Sequence, residues 1–159
     1  MASPAVSADD RLRALLEAAG VRYSGARMRV AGRLRAARRP LSAEDVRRSE
    51  PSVPFSSVYR ALAVLARAGV ARRLIGADGI ARFELAEAVS GEHHHHLVCT
   101  ACGAMDVVLL PAAAEDELAR AARAVQQSGR FAVHSCRVEL TGRCAACTAR
   151  PPGDPSPSG

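Results

Sequence analysis

With 159 residues the chain has room for one ordinary domain or two small ones, and small ones need a metal staple or dimer interface to offset a thin core. Hydrophobic residues make up 48% and aromatic residues 3%, which excludes disorder throughout and leaves Leu, Val and Ala to build the core; no apolar run approaches the ~20 residues of a membrane span. The net charge of +6 is uneven: through Arg82 there are 16 Arg against 7 acidic residues, and from Phe83 onward 6 Arg against 9. A high-GC genome would account for Arg in place of Lys but not for this asymmetry, which points to a polyanion partner for the first half.

The first ten residues are Ala- and Ser-rich, without the basic start and apolar stretch of an export signal, so a cytoplasmic protein is expected. Leu12, Leu15 and Leu16 predict a short amphipathic helix over 11–19, ended by Gly20. Ser24 is placed to cap a second helix running through Met28, Val30 and Leu34 to about Arg38. Ser42-Ala43-Glu44-Asp45 resembles a capping box opening a third helix that Pro51 stops. A fourth helix is predicted over 55–68, with Val58, Leu62 and Leu65 on one face and Ser57, Arg60 and Arg67 on the other. Tyr59 also lies off the apolar stripe.

The apolar period then changes. Residues 71–75 and 80–85 read as two strands joined by the turn Gly76-Ala77-Asp78-Gly79. Basic helices followed by a hairpin make a winged helix-turn-helix, in which the helix before the hairpin is the recognition helix. A small helical domain with an ordinary hairpin is the alternative, but it does not call for so basic a surface. Residues 86–92 read as a polar hinge. Beyond it come predicted strands over 94–98 and 104–110, a helix over 111–127 with Pro111 in its first turn, and a last strand over 131–140. Residues 150–159 contain four Pro, two Ser and two Gly and read as a disordered tail.

Five cysteines in a chain without an export signal favour metal or redox chemistry over structural disulfides. Cys99-x-x-Cys102 and Cys144-x-x-Cys147 supply four thiolates, the donor set of a closed tetrahedral zinc site; a redox dithiol needs only one such pair. The 41 residues between the pairs exceed the spacing of a compact zinc ribbon, so the site would tie distant strands together. The run His93-His94-His95-His96 precedes the first pair. On an extended strand, side chains alternate: His93 and His95 face one way, His94 and His96 the other, enough for two separate two-imidazole sites. A solvated polar strand is the alternative.

Taken together, Ser56-Ser57-Val58-Tyr59-Arg60, Phe83-Glu84-Leu85, the four-histidine run with Leu97-Val98-Cys99-x-x-Cys102-Gly103, and Cys144-x-x-Cys147 resemble the ferric uptake regulator family in order and spacing. The likeness covers about Leu12 to Cys147, and the uninterrupted histidine run is more similar to the zinc-sensing branch. It implies an α+β fold, with a winged-helix DNA-binding domain over 1–87 and a small metal-binding dimerisation domain over 88–149. It further implies a regulatory site between the domains at Glu84, His94 and His96, and a second site at His93 and His95. Tyr59 and Arg60 match the family's recognition-helix contacts, with Ser57 beside them, and Arg22 falls where the family has a basic residue reaching the minor groove or phosphates.

Several positions depart from the family's pattern. Near Pro40 the chain offers no ligand. Arg72 and Ala88 stand near where zinc sensors have an acid and a cysteine, which leaves the regulatory site's fourth ligand open. Glu115 is one place off the family's helix carboxylate, and Cys136 stands where a histidine ligand is usual, with His134 two residues earlier. Cys136 is therefore either a ligand or an inert thiol. The expected protein is a homodimeric repressor on a palindromic operator in double-stranded DNA, not an enzyme, with a structural zinc on four cysteines and a second, regulatory divalent metal. Zinc is expected as the sensed metal, with iron or peroxide sensing as the alternative within the family. A zinc hydrolase or deaminase would need an H-E-x-x-H, or an H-x-E with P-C-x-x-C, and the chain has neither.

Overall fold

The computed structural model describes residues 7–149; the tail expected over 150–159 lies outside the described residues. Helix α1 spans Ala8–Ala18 and starts ahead of the leucine pattern, because Ser7 and Asp10 form a capping box. Helix α2, Gly25–Ala37, is capped by Ser24 on the Arg27 amide. The two-residue strand β1, Leu41–Ser42, was not foreseen; it leads into α3, Ala43–Ser49, whose capping box pairs Ser42 with Asp45 as the sequence predicts. Helix α4, Phe55–Arg67, buries Val58, Ala61, Leu62 and Leu65 on one side, and Gly69, at φ +71°, turns the chain out of it.

Strands β2, Ala71–Ile75, and β3, Ala81–Leu85, pair antiparallel from Ile75 opposite Ala81 to Ala71 opposite Leu85, and β1 adds to the free edge of β3. Ile80, expected in the strand, belongs to the turn: its amide donates to the Asp78 carboxylate at 3.0 Å. One apolar core, from Leu12 to Val89, joins the helices to this sheet. The expected hinge contains a turn of helix, α5, Glu87–Ser90, whose Val89 is buried in that core. The Arg11 guanidinium fastens it by donating to the Val89 and Ser90 carbonyls.

The second sheet has β4, His95–Cys99, at its centre, antiparallel to β5, Met105–Val108, and parallel to β6, Glu139–Gly142. Helix α6 spans Ala112–Gln127 and α7, not foreseen, spans Ala145–Thr148. The expected strand over 131–140 is corrected to a short ladder at its far end. β4 is only five residues long, and its partners begin at Glu139 opposite His96. Just before the ladder, the Val138 amide is taken by a side chain, donating to His95 Nδ1 at 2.9 Å. Apolar burial is thin in this half: α6 has no buried residue, and Leu109, Phe131 and Val125 are exposed. No helix among the described residues is long and apolar enough to cross a membrane.

The two sheets meet at the hairpin turn. An added Cβ on Gly103, just past Cys102, would collide with the Asp78 carboxylate, and one on Gly76 would sit 2.9 Å from the Gly103 carbonyl oxygen. Arg82 holds Asp78 in place through a 2.8 Å ion pair. Gly76 is therefore required by the backbone approach to Gly103, and Gly103 by its own φ of +70° together with the Asp78 carboxylate beside it.

Candidate functional site

Three clusters of metal-ligating side chains arise where β3, β4 and the cysteine turns converge. In each, the candidate ligand atoms lie within 4.8 Å of one another. The first joins Cys99 at the end of β4, Cys102 in the following turn, Cys144 at the N-terminus of α7 and Cys147 within it. The Cys102 and Cys144 sulfurs are 3.8 Å apart, and the Cys144 amide donates to Cys99 Sγ at 3.3 Å. Burial pushes the Cys99 thiol up, but backbone donors from Cys144, Cys102 and Ala101 outweigh it and bring it down to about 6. The Cys102 and Cys144 sulfurs, and then burial, push the Cys147 thiol up to about 12. Once one thiolate has formed among four close sulfurs, others are repelled unless a cation joins them. The donor set and this charge frustration fit a tetrahedral zinc ion.

The second cluster follows the alternation predicted for the histidine run, with His94 just before β4 and His96 on it. His94 Nε2 and His96 Nε2 approach Glu84 Oε2, on β3, at 3.1 and 2.9 Å. Glu84 and His96 are buried and His94 is nearly so. Burial pushes the Glu84 carboxyl up, but bonds from His96 and His94, with Arg72 close by, hold it below its ordinary value. The three groups come from opposite sides of residues 86–92, so one cation here would link the winged half to the second sheet. Two imidazoles and a carboxylate suit zinc, iron or manganese.

His93, His95 and Glu115 form the third cluster on the opposite face of β4. Fully buried His95 meets Glu115 Oε1 at 2.9 Å through Nε2, and His93 Nε2 lies 3.6 Å from Glu115 Oε2. Glu115 reaches them from the first turn of α6. Cys136 and His134 share clefts with His93 but stand outside the set of close ligand atoms; Cys136 is half-buried.

On the winged half, Tyr59 and Arg60 project from the exposed side of α4. Tyr59 packs edge-on against Phe55, with ring centroids 4.8 Å apart, and Arg60 donates to the Ser57 hydroxyl at 3.3 Å. Arg22 is exposed in the link between α1 and α2, where Arg27 holds its carbonyl. Ala88 is exposed on α5 and supplies no ligand.

Two contacts escaped the sequence reading, which noted Arg72 only as standing near a zinc sensor's acid and did not name Glu87. Arg72 enters the second cluster, 3.4 Å from both Glu84 Oε1 and His96 Nδ1, and Glu87 borders the third, 3.2 Å from His93 Nδ1. Register places Arg72 opposite Glu84 only because Ile80 belongs to the turn; with the expected turn at 76–79 it would fall opposite Phe83.

The model of the Ferric uptake regulator family matches residues 18–141. A ferric uptake regulation protein of Bacillus subtilis is 31% identical over 114 residues, covering 69% of this chain and 73% of its own length. A solved structure of the Pseudomonas aeruginosa ferric uptake regulator with manganese superposes with TM-score 0.64 at 30% identity, over 84% of this chain and 97% of that one. The Helicobacter pylori ferric uptake regulator, described as having three functional metal-binding sites, superposes with TM-score 0.65 at 24% identity, over 90% of this chain and 93% of that one.

Proposed function

The chain belongs to the ferric uptake regulator family of metal-responsive transcriptional regulators, and from that premise we propose that it is a homodimeric, zinc-responsive repressor of metal-uptake and homeostasis genes. Its division into a winged DNA-binding domain over 1–87 and a dimerisation domain over 88–149 is part of the same proposal, as is action in the cytoplasm. The observation that carries the reading is the meeting of Glu84 with His94 and His96 across residues 86–92. With a divalent cation held by these three, the orientation of the two halves is restrained, and paired recognition helices take the spacing of a palindromic operator. A full switch of this kind takes roughly 5.5 kcal/mol of differential metal affinity. Cys99, Cys102, Cys144 and Cys147 hold a structural zinc. The set His93, His95 and Glu115 holds a further ion, with Cys136 or His134 within the same cleft to complete it.

Ser57, Tyr59 and Arg60 on α4, with Arg22, make the proposed DNA contacts. The uninterrupted histidine run favours zinc as the sensed metal. Iron or peroxide sensing is the second reading, favoured by a ligand set that equally suits ferrous iron and by the ferric uptake regulator of Bacillus subtilis among the relatives.

The test is operator binding by the His94→Ala/His96→Ala protein, titrated with zinc, iron and manganese. It should keep its four-cysteine zinc and its dimer yet lose metal-stimulated binding, while Arg60→Ala should lose about 1–3 kcal/mol of DNA affinity at any metal concentration. Zinc-dependent operator binding retained in the double variant would move sensing to His93, His95 and Glu115. A native protein that answers iron at concentrations where zinc does nothing would replace the metal.

A further inference from the structure

The second cluster contains a cation of its own. Arg72 stands opposite Glu84 in the β2–β3 ladder, and its Nη2 lies 3.4 Å from Glu84 Oε1 and 3.4 Å from His96 Nδ1. Its side chain is 24% exposed, so water screens that charge weakly. A guanidinium has donors and no acceptor, so His96 Nδ1 accepts from it and the ring proton lies on Nε2, where it is donated to Glu84 at 2.9 Å. Glu84 is thereby fully engaged: Oε1 faces Arg72, and Oε2 takes both imidazoles.

This arrangement is complete without a metal, and it opposes one twice. Ligation through His96 Nε2 needs the other tautomer, with the proton on Nδ1, and that N–H would then point at a guanidinium that also only donates. A divalent cation among these ligands would also meet a permanent like charge, in a setting where charges interact more strongly than in bulk water.

Resting on the reading of Glu84, His94 and His96 as the regulatory site, we propose that Arg72 is an internal competitor that occupies the ligands in the metal-free protein and sets the metal concentration at which the site fills. Arg72 is thus a positioning and affinity-setting residue rather than a ligand. Its removal should strengthen binding, whereas a residue needed only for the fold would weaken it on removal.

The experiment uses the full-length protein with its four-cysteine zinc in place. Zinc and, separately, manganese are titrated against a chromophoric chelator for the native protein, Arg72→Gln, Arg72→Met, Arg72→Lys and His94→Ala/His96→Ala, with thermal melts reporting folding. Arg72→Gln and Arg72→Met should each tighten the second metal equivalent about ten- to hundredfold, the scale on which outer-shell partners tune metal affinity. Arg72→Lys, which keeps the charge, should stay within a few-fold of native. Equal or weaker affinity in both folded neutral variants, with the second equivalent lost in the histidine double variant, overturns the role of Arg72 while the site stands. A double variant that binds as many equivalents beyond the four-cysteine zinc as the native protein does, at the same affinities, removes the site reading and this proposal with it.

Discussion

Cys99 and Cys147 belong to one cluster of sulfurs yet hold their protons very differently, at about 6 and about 12. At neutral pH Cys99 is already a thiolate, so a zinc ion displaces almost no proton from it. Cys147, and Cys102, whose thiol is also raised, keep theirs until the metal arrives. Zinc loading near pH 7.5 should therefore release more than one proton per ion, measurable by calorimetry in buffers of differing ionisation heat. Release of less than one would contradict this distribution. Because protons compete for every thiolate, zinc affinity should fall with falling pH and fall more steeply below about 6, where Cys99 too is protonated. The cysteines and histidines were legible in the sequence because paired spacing and strand alternation are local properties. The contacts of Arg72 and Glu87 were not foreseen, since their place depends on which strand or helix turn comes to lie beside them.

At the level of single elements, the winged half was the more readable. The Ser24 cap of α2, the capping box of α3 and the apolar stripe of α4 each follow from residues a turn or two apart, whereas the Ser7 box of α1 was missed. The box at α3 makes a measurable claim. Burial pushes the Asp45 carboxyl up, but the Ser42 hydroxyl and amide hold it below its ordinary value. Such a group adds stability above the ordinary carboxylate pKa, and loses it as pH falls through the lower folded value. Ser42→Ala should cost about 1 kcal/mol at pH 7, with the deficit shrinking in acid, as denaturant melts across pH would record. A deficit independent of pH would mean the carboxylate contributes nothing. The elements misread lie where long-range partners decide: β1 exists because β3 offers it an edge, and the last strand is cut to the length of β4.

For the molecule as a whole, apolar burial is concentrated in the winged half, while α6 has no buried residue and all of β6 is exposed. A helix of 16 residues draws most of its stability in water from packing. A second copy of the chain provides that packing in the proposed dimer, with Leu118 and Val125 on the helix to be covered. Leu118→Asp/Val125→Asp should sediment as a monomer and bind a two-half-site operator about a hundredfold or more weaker, the scale of lost avidity. A dimer of native strength would place the interface elsewhere. The sequence announced a dimer only through family resemblance, because an interface between copies leaves no pattern along one chain.

The parallel ladder between β4 and β6 has a consequence for the order of assembly. The winged core is complete once Val89 has been synthesised, but the second sheet and its sulfur cluster close only with Glu139–Gly142 and Cys147. Contacts this distant along the chain form late, and domains nearer the N-terminus fold first during synthesis. On the proposed division into domains, a nascent or prematurely terminated chain would thus present a folded basic half that touches a single half-site and does not pair. In the proposed repressor the last cysteines would then act as a completion signal: bivalent grip on the operator would come only to chains that have been finished and supplied with zinc.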